Sequence, residues 1–176
     1  MRRTVLITSL GVLVIVVALS IFLGTRHPVG PATSAPSPLL GKLAPSVSGT
    51  ELGGGHFDLK SDRGDVVVVN FWASWCGPCV VEAPNLSTFA WHERHNQVKV
   101  IGVVFDDPVS AAKAFQTHYG SLYPSIVDPN GDIANSYGVT SPPTTFIINA
   151  QGRVAATLLG AATTAQLIHA IERVRG

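Results

Sequence analysis

Cys76 and Cys79 are the only two cysteines in the 176 residues, and Gly77 and Pro78 lie between them. A CxxC pair either exchanges disulfides or supplies half of a tetrahedral metal site. Zinc wants four ligands, and there is neither a second CxxC nor a histidine-rich partner segment. His92 and His95, three apart further along, read as surface residues of a helix rather than ligands. The pair therefore points to redox chemistry with no metal and no organic cofactor, the redox group being a Cys76–Cys79 disulfide. With no further cysteine, a framework of structural disulfides is excluded.

Disulfide exchange needs an attacking thiolate, a second thiol that can release the mixed disulfide, and an opening to a bulky substrate. Spacing of two across a first helical turn brings both sulfurs within bonding distance. A cysteine at a helix N-terminus faces unpaired N–H groups and the positive end of the helix, which lower its pKa. Cys76 is thus the expected nucleophile and Cys79 the resolving thiol. Lowering the pKa from about 8.5 to about 7 raises thiolate at neutral pH roughly 16-fold, and the weaker nucleophilicity takes back roughly 5-fold. The net gain in attack is only about threefold. The larger effect is on equilibrium, because a stabilised thiolate stabilises the reduced form. Gly77 is expected to permit the tight turn into the helix, and Pro78 suits a first turn, where its missing N–H costs nothing.

The elements around the pair must hold it at such a helix tip. Residues 65–72 (DVVVVNFW) form a short, unbroken β-branched run, the pattern of a strand buried on both faces, and lead directly to Trp75 and Cys76. Helix-compatible spacing follows from Cys76 to about Asn96, with Val80, Val81, Leu86, Phe89 and Ala90 as the inward stripe and Pro84 expected to kink it. Val98–Phe105 reads as a second buried strand, Pro108–Tyr119 as a helix and Ser125–Val127 as a short strand. A turn at 128–131 and a short helix ending near Tyr137 come next. Residues 144–149 and 154–159 read as an antiparallel hairpin, and 163–174 as an amphipathic closing helix. A right-handed crossover makes the first two core strands parallel. Upstream, Gly53–Gly55 between two short segments suggests a small extra hairpin.

The N-terminus reads as an address. Residues 5–23 are nineteen uncharged residues that would span about 28 Å as a helix, close to the ~30 Å of a bilayer's hydrocarbon. Arg2 and Arg3 precede them, so residues 1–23 are expected to be an uncleaved, single-pass anchor with the remainder extracytoplasmic. The competing reading is a cleaved signal peptide, but the apolar run is long for one and no A-x-A site follows. Residues 24–40, with prolines at 28, 31, 36 and 38, read as an extended linker reaching up to about 50 Å. Residues 41–176 are then the single globular domain. The apolar fraction of 46% is inflated by the anchor, and a formal charge of +1 leaves no basic field for nucleic acid.

The run Val69-Asn70-Phe71-Trp72-Ala73-Ser74-Trp75-Cys76-Gly77-Pro78-Cys79, followed by Glu82, Pro84, Gly138-Val139 and Pro143-Thr144-Thr145-Phe146-Ile147-Ile148-Asn149, resembles the TlpA/ResA/CcmG (DsbE-type) branch of the thioredoxin superfamily over about residues 41–176. The resemblance implies an α/β thioredoxin fold: a central mixed sheet flanked by helices, with an added N-terminal β-hairpin and a βα insertion. It places the attacking cysteine at Cys76, the resolving cysteine at Cys79, a cis-proline at Pro143 and a proton-moving carboxyl at Glu82. For Glu82 the competing reading is a solvated carboxylate favoured by the helix N-terminus. Trp75, Gly77, Pro78, Pro142 and Pro143 would contact substrate. Asn70 stands where cytosolic thioredoxins carry a buried aspartate. Pro142 lacks the N–H that a bound peptide would use.

The function implied is an extracytoplasmic, membrane-held bacterial thiol–disulfide oxidoreductase, monomeric, acting on thiols and disulfides of exported proteins such as apocytochromes c and recharged by a membrane thiol donor. A reductase of the cytochrome c maturation type is the leading expectation. A disulfide-forming oxidase and a non-enzymatic peptide-binding module remain alternatives. The Pro-x3-Thr-x2-Cys setting of thiol peroxidases is absent.

Overall fold

The computed structural model describes residues 12–20 and 30–175. Strand β1 (Thr33–Ser34) is followed by β2 (Ser48–Thr50), β3 (His56–Asp58), β4 (Val66–Trp72), α1 (Gly77–Glu93), β5 (Val98–Val104), α2 (Val109–Tyr119) and β6 (Ser125–Val127). The chain then forms α3 (Asp132–Tyr137), β7 (Thr144–Ile148), β8 (Val154–Leu159) and α4 (Thr164–Arg175). Six strands make one mixed sheet in the order β1-β8-β7-β4-β5-β6, with β4, β5 and β6 parallel and β7 antiparallel to β4. Strands β2 and β3 pair apart from it as the expected hairpin.

All seven residues of β4 are buried because both faces of the sheet are covered. Val66 and Val68 join Leu86 and Phe89 of α1 and Leu167 and Ile171 of α4 on one face. Val67, Val69 and Phe71 join Ile101, Ile126, Tyr137 and Phe146 on the other. Strict alternation of side chains along a strand therefore turns Asn70, the one polar residue of β4, toward the face that α1 covers.

Helix α1 runs continuously through Pro84. Its buried stripe is Cys79, Glu82, Ala83, Leu86 and Phe89, whereas Val81 is 49% exposed. This corrects the inward stripe expected from hydrophobicity. At 3.6 residues per turn, Leu86 and Phe89 share a face with Cys79 and Glu82, and Val81 falls outside it.

A second correction concerns residues 24–40. From Ala32 onward the chain is not a free linker: Thr33 and Ser34 add an edge strand to β8, and Ala32 is buried. A backbone with unpaired N–H and C=O groups beside an open sheet edge gains hydrogen bonds by docking, and the small side chains of Ala32, Thr33 and Ser34 allow it. Of the stretch 5–23, only 12–20 lies among the described residues; it is helical and exposed. No helix among the described residues is long and apolar enough to cross a membrane.

Gly102 on β5 lies between Asn70 of β4 and Ser125 of β6. A Cβ there would lie 2.6 Å from Trp72 Nε1 and would also collide with the Ser125 hydroxyl. Trp72 Nε1 and Gln116 Nε2 both donate to that hydroxyl, at 3.1 and 2.9 Å, so it has little freedom to yield. Gly102→Ala is therefore expected to destabilise the fold by about 2 kcal/mol. Urea unfolding of wild type and variant measures it, and equal midpoints would refute this packing.

Candidate functional site

Cys76 and Cys79 are joined in a disulfide, with Cα atoms 5.3 Å apart. Cys76 is the N-cap residue of α1, and the Cys79 N–H donates to its Sγ at 3.2 Å. The pair thus sits where β4 hands the chain to a helix, and Cys76 receives one of the N–H groups that the first turn leaves unpaired. In this disulfide state Cys76 is only 4% exposed and Cys79 2%. Both cysteines pack in one cluster with Trp72, Ala73 and Ala83, and they differ in position along the helix, Cys76 at the cap and Cys79 within the first turn.

Gly77 does not have positive φ, and a Cβ on it would meet nothing within 4 Å. The turn into the helix is thus made without the left-handed backbone that only glycine adopts freely. Gly77 is exposed next to Cys76 in the chain. Pro78 occupies the first turn as expected. Trp75 is exposed, its indole N–H donating to the Asp106 carbonyl at 2.9 Å. The Pro142–Pro143 bond is cis, matching the cis-proline implied for position 143. His92 and His95 take no part in the site, and no metal-binding group of His, Cys, Asp or Glu occurs among the described residues.

Glu82 lies one turn beyond Cys79 on the buried stripe and is 1% exposed, so it is not a solvated carboxylate. Asn70 Nδ2 donates to its Oε2 and the Ala162 N–H to its Oε1, both at 2.9 Å. Burial strips water from the charged form and raises the pKa from 4.5 to about 7, against the opposing pull of hydrogen bonds from Ala162, Asn70 and Thr145. Asn70 Nδ2 also donates to Thr145 Oγ1 at 2.9 Å, while Asn70 Oδ1 has no partner among the described residues. Asn70 therefore does not replace a missing acid. It holds an acid that α1 supplies instead.

Asp107, just after β5, accepts from the Ser74 N–H at 2.6 Å and from Ser74 Oγ at 2.9 Å, pinning the loop that carries Trp75 and Cys76. Sequence reasoning missed it. The available signal was its place just past the C-terminal end of a parallel strand, the end at which α/β sheets assemble their sites. None of the hydrogen bonds around the pair comes from lysine or arginine.

The family model for the AhpC/TSA family matches residues 40–157. A thiol-disulfide oxidoreductase ResA of Bacillus thuringiensis subsp. konkukian is 33% identical over 135 residues, which are 77% of this chain and 78% of that protein. A thiol:disulfide interchange protein DsbE homolog of Paracoccus denitrificans is 40% identical over 123 residues, 68% of this chain and 65% of that one. Among solved structures, a putative thiol:disulfide interchange protein DsbE from Chlorobium tepidum superposes with a TM-score of 0.70 at 28% identity, covering 76% of this chain and 96% of its own.

Proposed function

Since this chain belongs to the AhpC/TSA family and is a thiol–disulfide oxidoreductase of the ResA/DsbE type, we propose that it works as a reductase of disulfides in exported proteins, held at the outer face of the membrane by residues 5–23. The observation that carries the direction is the charge around the pair. Two carboxyl groups belong to its surroundings, Glu82 three residues beyond Cys79 on the buried stripe of α1 and Asp107 bonded to Ser74 of the loop before Cys76, and among the described residues no lysine or arginine hydrogen-bonds to either of them. Negative charge opposes thiolate formation, destabilises the reduced form and makes the dithiol the better electron donor, offsetting the helix N-terminus.

In the reaction the Cys76 thiolate attacks one sulfur of the substrate disulfide. The substrate S–S bond breaks, and the departing sulfur takes up a proton. Glu82, ionised at pH above about 7, accepts the Cys79 proton, and Cys79 attacks the Cys76 sulfur. The second substrate sulfur leaves as a thiol, so that two electrons pass to the substrate and the enzyme ends as the disulfide. A thiol donor in the membrane restores the dithiol. Apocytochrome c, with its paired cysteines, is the proposed substrate class.

Docking of the chain from Ala32 leaves only eight residues, 24–31, between the proposed anchor and the domain, a separation of at most about 25 Å. The proposed domain therefore works close to the bilayer, within reach of a membrane donor. Redox titration of the pair against glutathione tests the direction: a potential below about −200 mV is expected. A value near that of strong oxidants, about −120 mV, would identify a disulfide-forming enzyme instead.

A further inference from the structure

The peptide group that joins Ala161 to Ala162 is engaged at both of its ends. Its N–H donates to Glu82 Oε1 at 2.9 Å, and its carbonyl accepts from the Ala32 N–H, also at 2.9 Å. Ala32, Ala161 and Ala162 are all buried, so water competes for neither bond. One amide plane thus connects the N-terminal segment that docks on β8 with the carboxyl group three residues beyond Cys79. An amide whose carbonyl accepts a hydrogen bond is polarised and becomes a stronger donor at its N–H.

Ala32 is itself held in place. Gln166, in the first turn of α4, donates through Nε2 to the Ala32 carbonyl at 2.6 Å, while its Oε1 accepts from the N–H and the hydroxyl of Thr163 at 3.0 and 3.1 Å. One side chain thereby closes the start of the helix and clasps the N-terminal segment. On the other flank the Thr164 N–H donates to Asn85 Oδ1 of α1 at 3.2 Å, which fixes α4 and leaves the 161–162 peptide to Ala32. Glu82 has no charged hydrogen-bond partner among the described residues. Cys79 shares its buried stripe, and the buried phenol of Tyr123, before β6, is kept protonated by desolvation and by the Glu82 charge. Asn70 of β4, Thr145 of β7 and Ala162 before α4 are neutral groups whose hydrogen bonds favour the carboxylate, and His169, Glu172, Arg173 and Arg175 of α4 are exposed.

We propose that Ala32 is a positioning residue of the disulfide exchange: its backbone N–H, clasped by Gln166, aims and polarises the 161–162 peptide onto Glu82 and so governs the resolution step carried out by Cys79. The inference rests on the reading of Glu82 as the base for Cys79, and deepens it. In that step Glu82 takes the Cys79 proton, the Cys76–Cys79 bond forms as the bond from Cys76 to the substrate sulfur breaks, and the substrate sulfur leaves with the electron pair. Without the Ala32 N–H the Ala162 N–H is a weaker donor, the carboxylate is less stabilised, and Glu82 keeps its own proton to higher pH. The proton-accepting site is therefore complete only when the N-terminal segment is docked.

The test reads the resolution step in the full chain, held in detergent and loaded on Cys76 at low pH with thionitrobenzoate. A jump in pH starts release by Cys79, which absorbance follows. For wild type the rate is expected to rise with an inflection near pH 7. Ala32→Pro removes the N–H that the Ala161 carbonyl accepts, and is expected to move the inflection up by about one pH unit and to slow release about fivefold at neutral pH. Gln166→Met frees Ala32 without altering the 161–162 peptide and is expected to move it in the same direction. Ala32→Ser keeps the N–H and is expected to restore the wild-type inflection. Loss of stability alone lowers the amount of active protein and does not move an inflection. In a Glu82→Gln background, Ala32→Pro is expected to add no further slowing. An inflection unmoved in Gln166→Met or in folded Ala32→Pro, or moved equally by Ala32→Ser, would overturn the role of Ala32 and leave Glu82 as the base. An inflection that survives Glu82→Gln would instead overturn the reading of Glu82 beneath it.

Discussion

Replacing Cys79 by serine is expected to turn the protein into a trap, with one substrate chain covalently held on Cys76 per molecule. The attack step survives because the nucleophile, its cap position and the positive helix end are untouched. The residue 79 N–H that now donates to Cys76 Sγ belongs to the backbone and remains. Release fails because the only second thiol is gone. Cys76→Ser is expected to do the opposite. No adduct forms, since Cys79 lies inside the first turn of α1 rather than at its cap, and turnover falls at least about a thousandfold, to the uncatalysed background. Non-reducing electrophoresis and intact mass of the two variants, after exposure to a disulfide-bonded peptide, read both outcomes. Adducts forming equally on either variant would show that the two sulfurs are interchangeable and would remove the asymmetry on which the mechanism depends.

Glu82→Gln is expected to have the second largest effect, in kinetics and in stability at once. As the base for Cys79, the carboxyl should make the resolution step rise with pH through about 7, the value to which burial pushes it. The amide should lower the rate above that pH by about 100-fold and remove the inflection. Release from a preformed mixed disulfide isolates this step from the attack by Cys76. An inflection near 7 that persists in the variant would assign the base elsewhere.

The stability arm has a definite sign. The folded pKa of Glu82 lies above its ordinary value, so the folded state binds the proton more tightly than the unfolded chain does. Its contribution is complete below about 4.5 and is lost as pH rises through about 7. Between pH 5 and 8 the oxidised wild type should lose about 2 to 3 kcal/mol that Glu82→Gln does not. Glutamine can be accommodated, because turning the Asn70 amide over presents its unpartnered Oδ1 to the new NH2 group. Denaturant unfolding of both proteins at the two pH values gives the difference directly, and parallel pH dependences would deny the buried titration.

The parts of this protein that follow from residue type and near neighbours were legible in its sequence. A β-branched run buried on both faces, a cysteine pair opening a helix, a proline in its first turn and a hairpin near the C-terminus each carry their own local signal. The strands from β2 onward, the helices and the identity of the cysteine pair could therefore be read without a structure. Glu82 was legible as a candidate only. Its burial depends on which side of α1 meets β4, and hydrophobicity alone favoured Val81 for a place that geometry gives to Glu82.

What remained hidden was whatever depends on residues far apart in the chain. Asp107 meets Ser74 across 33 positions, and the Ala162 N–H reaches Glu82 across 80. The proline-rich stretch before residue 41 carries the composition of a linker, yet the open edge of β8 holds part of it, and residues 35–39 thereby form one wall of a cavity that extends to Pro78 and Pro143. Sequence by itself determined the chemistry, because a thiol's reactivity is a property of the group and its own helical turn. Tertiary structure alone decided the environment of that chemistry, the buried acid and the cavity wall, because desolvation and edge pairing arise only when distant segments are packed together.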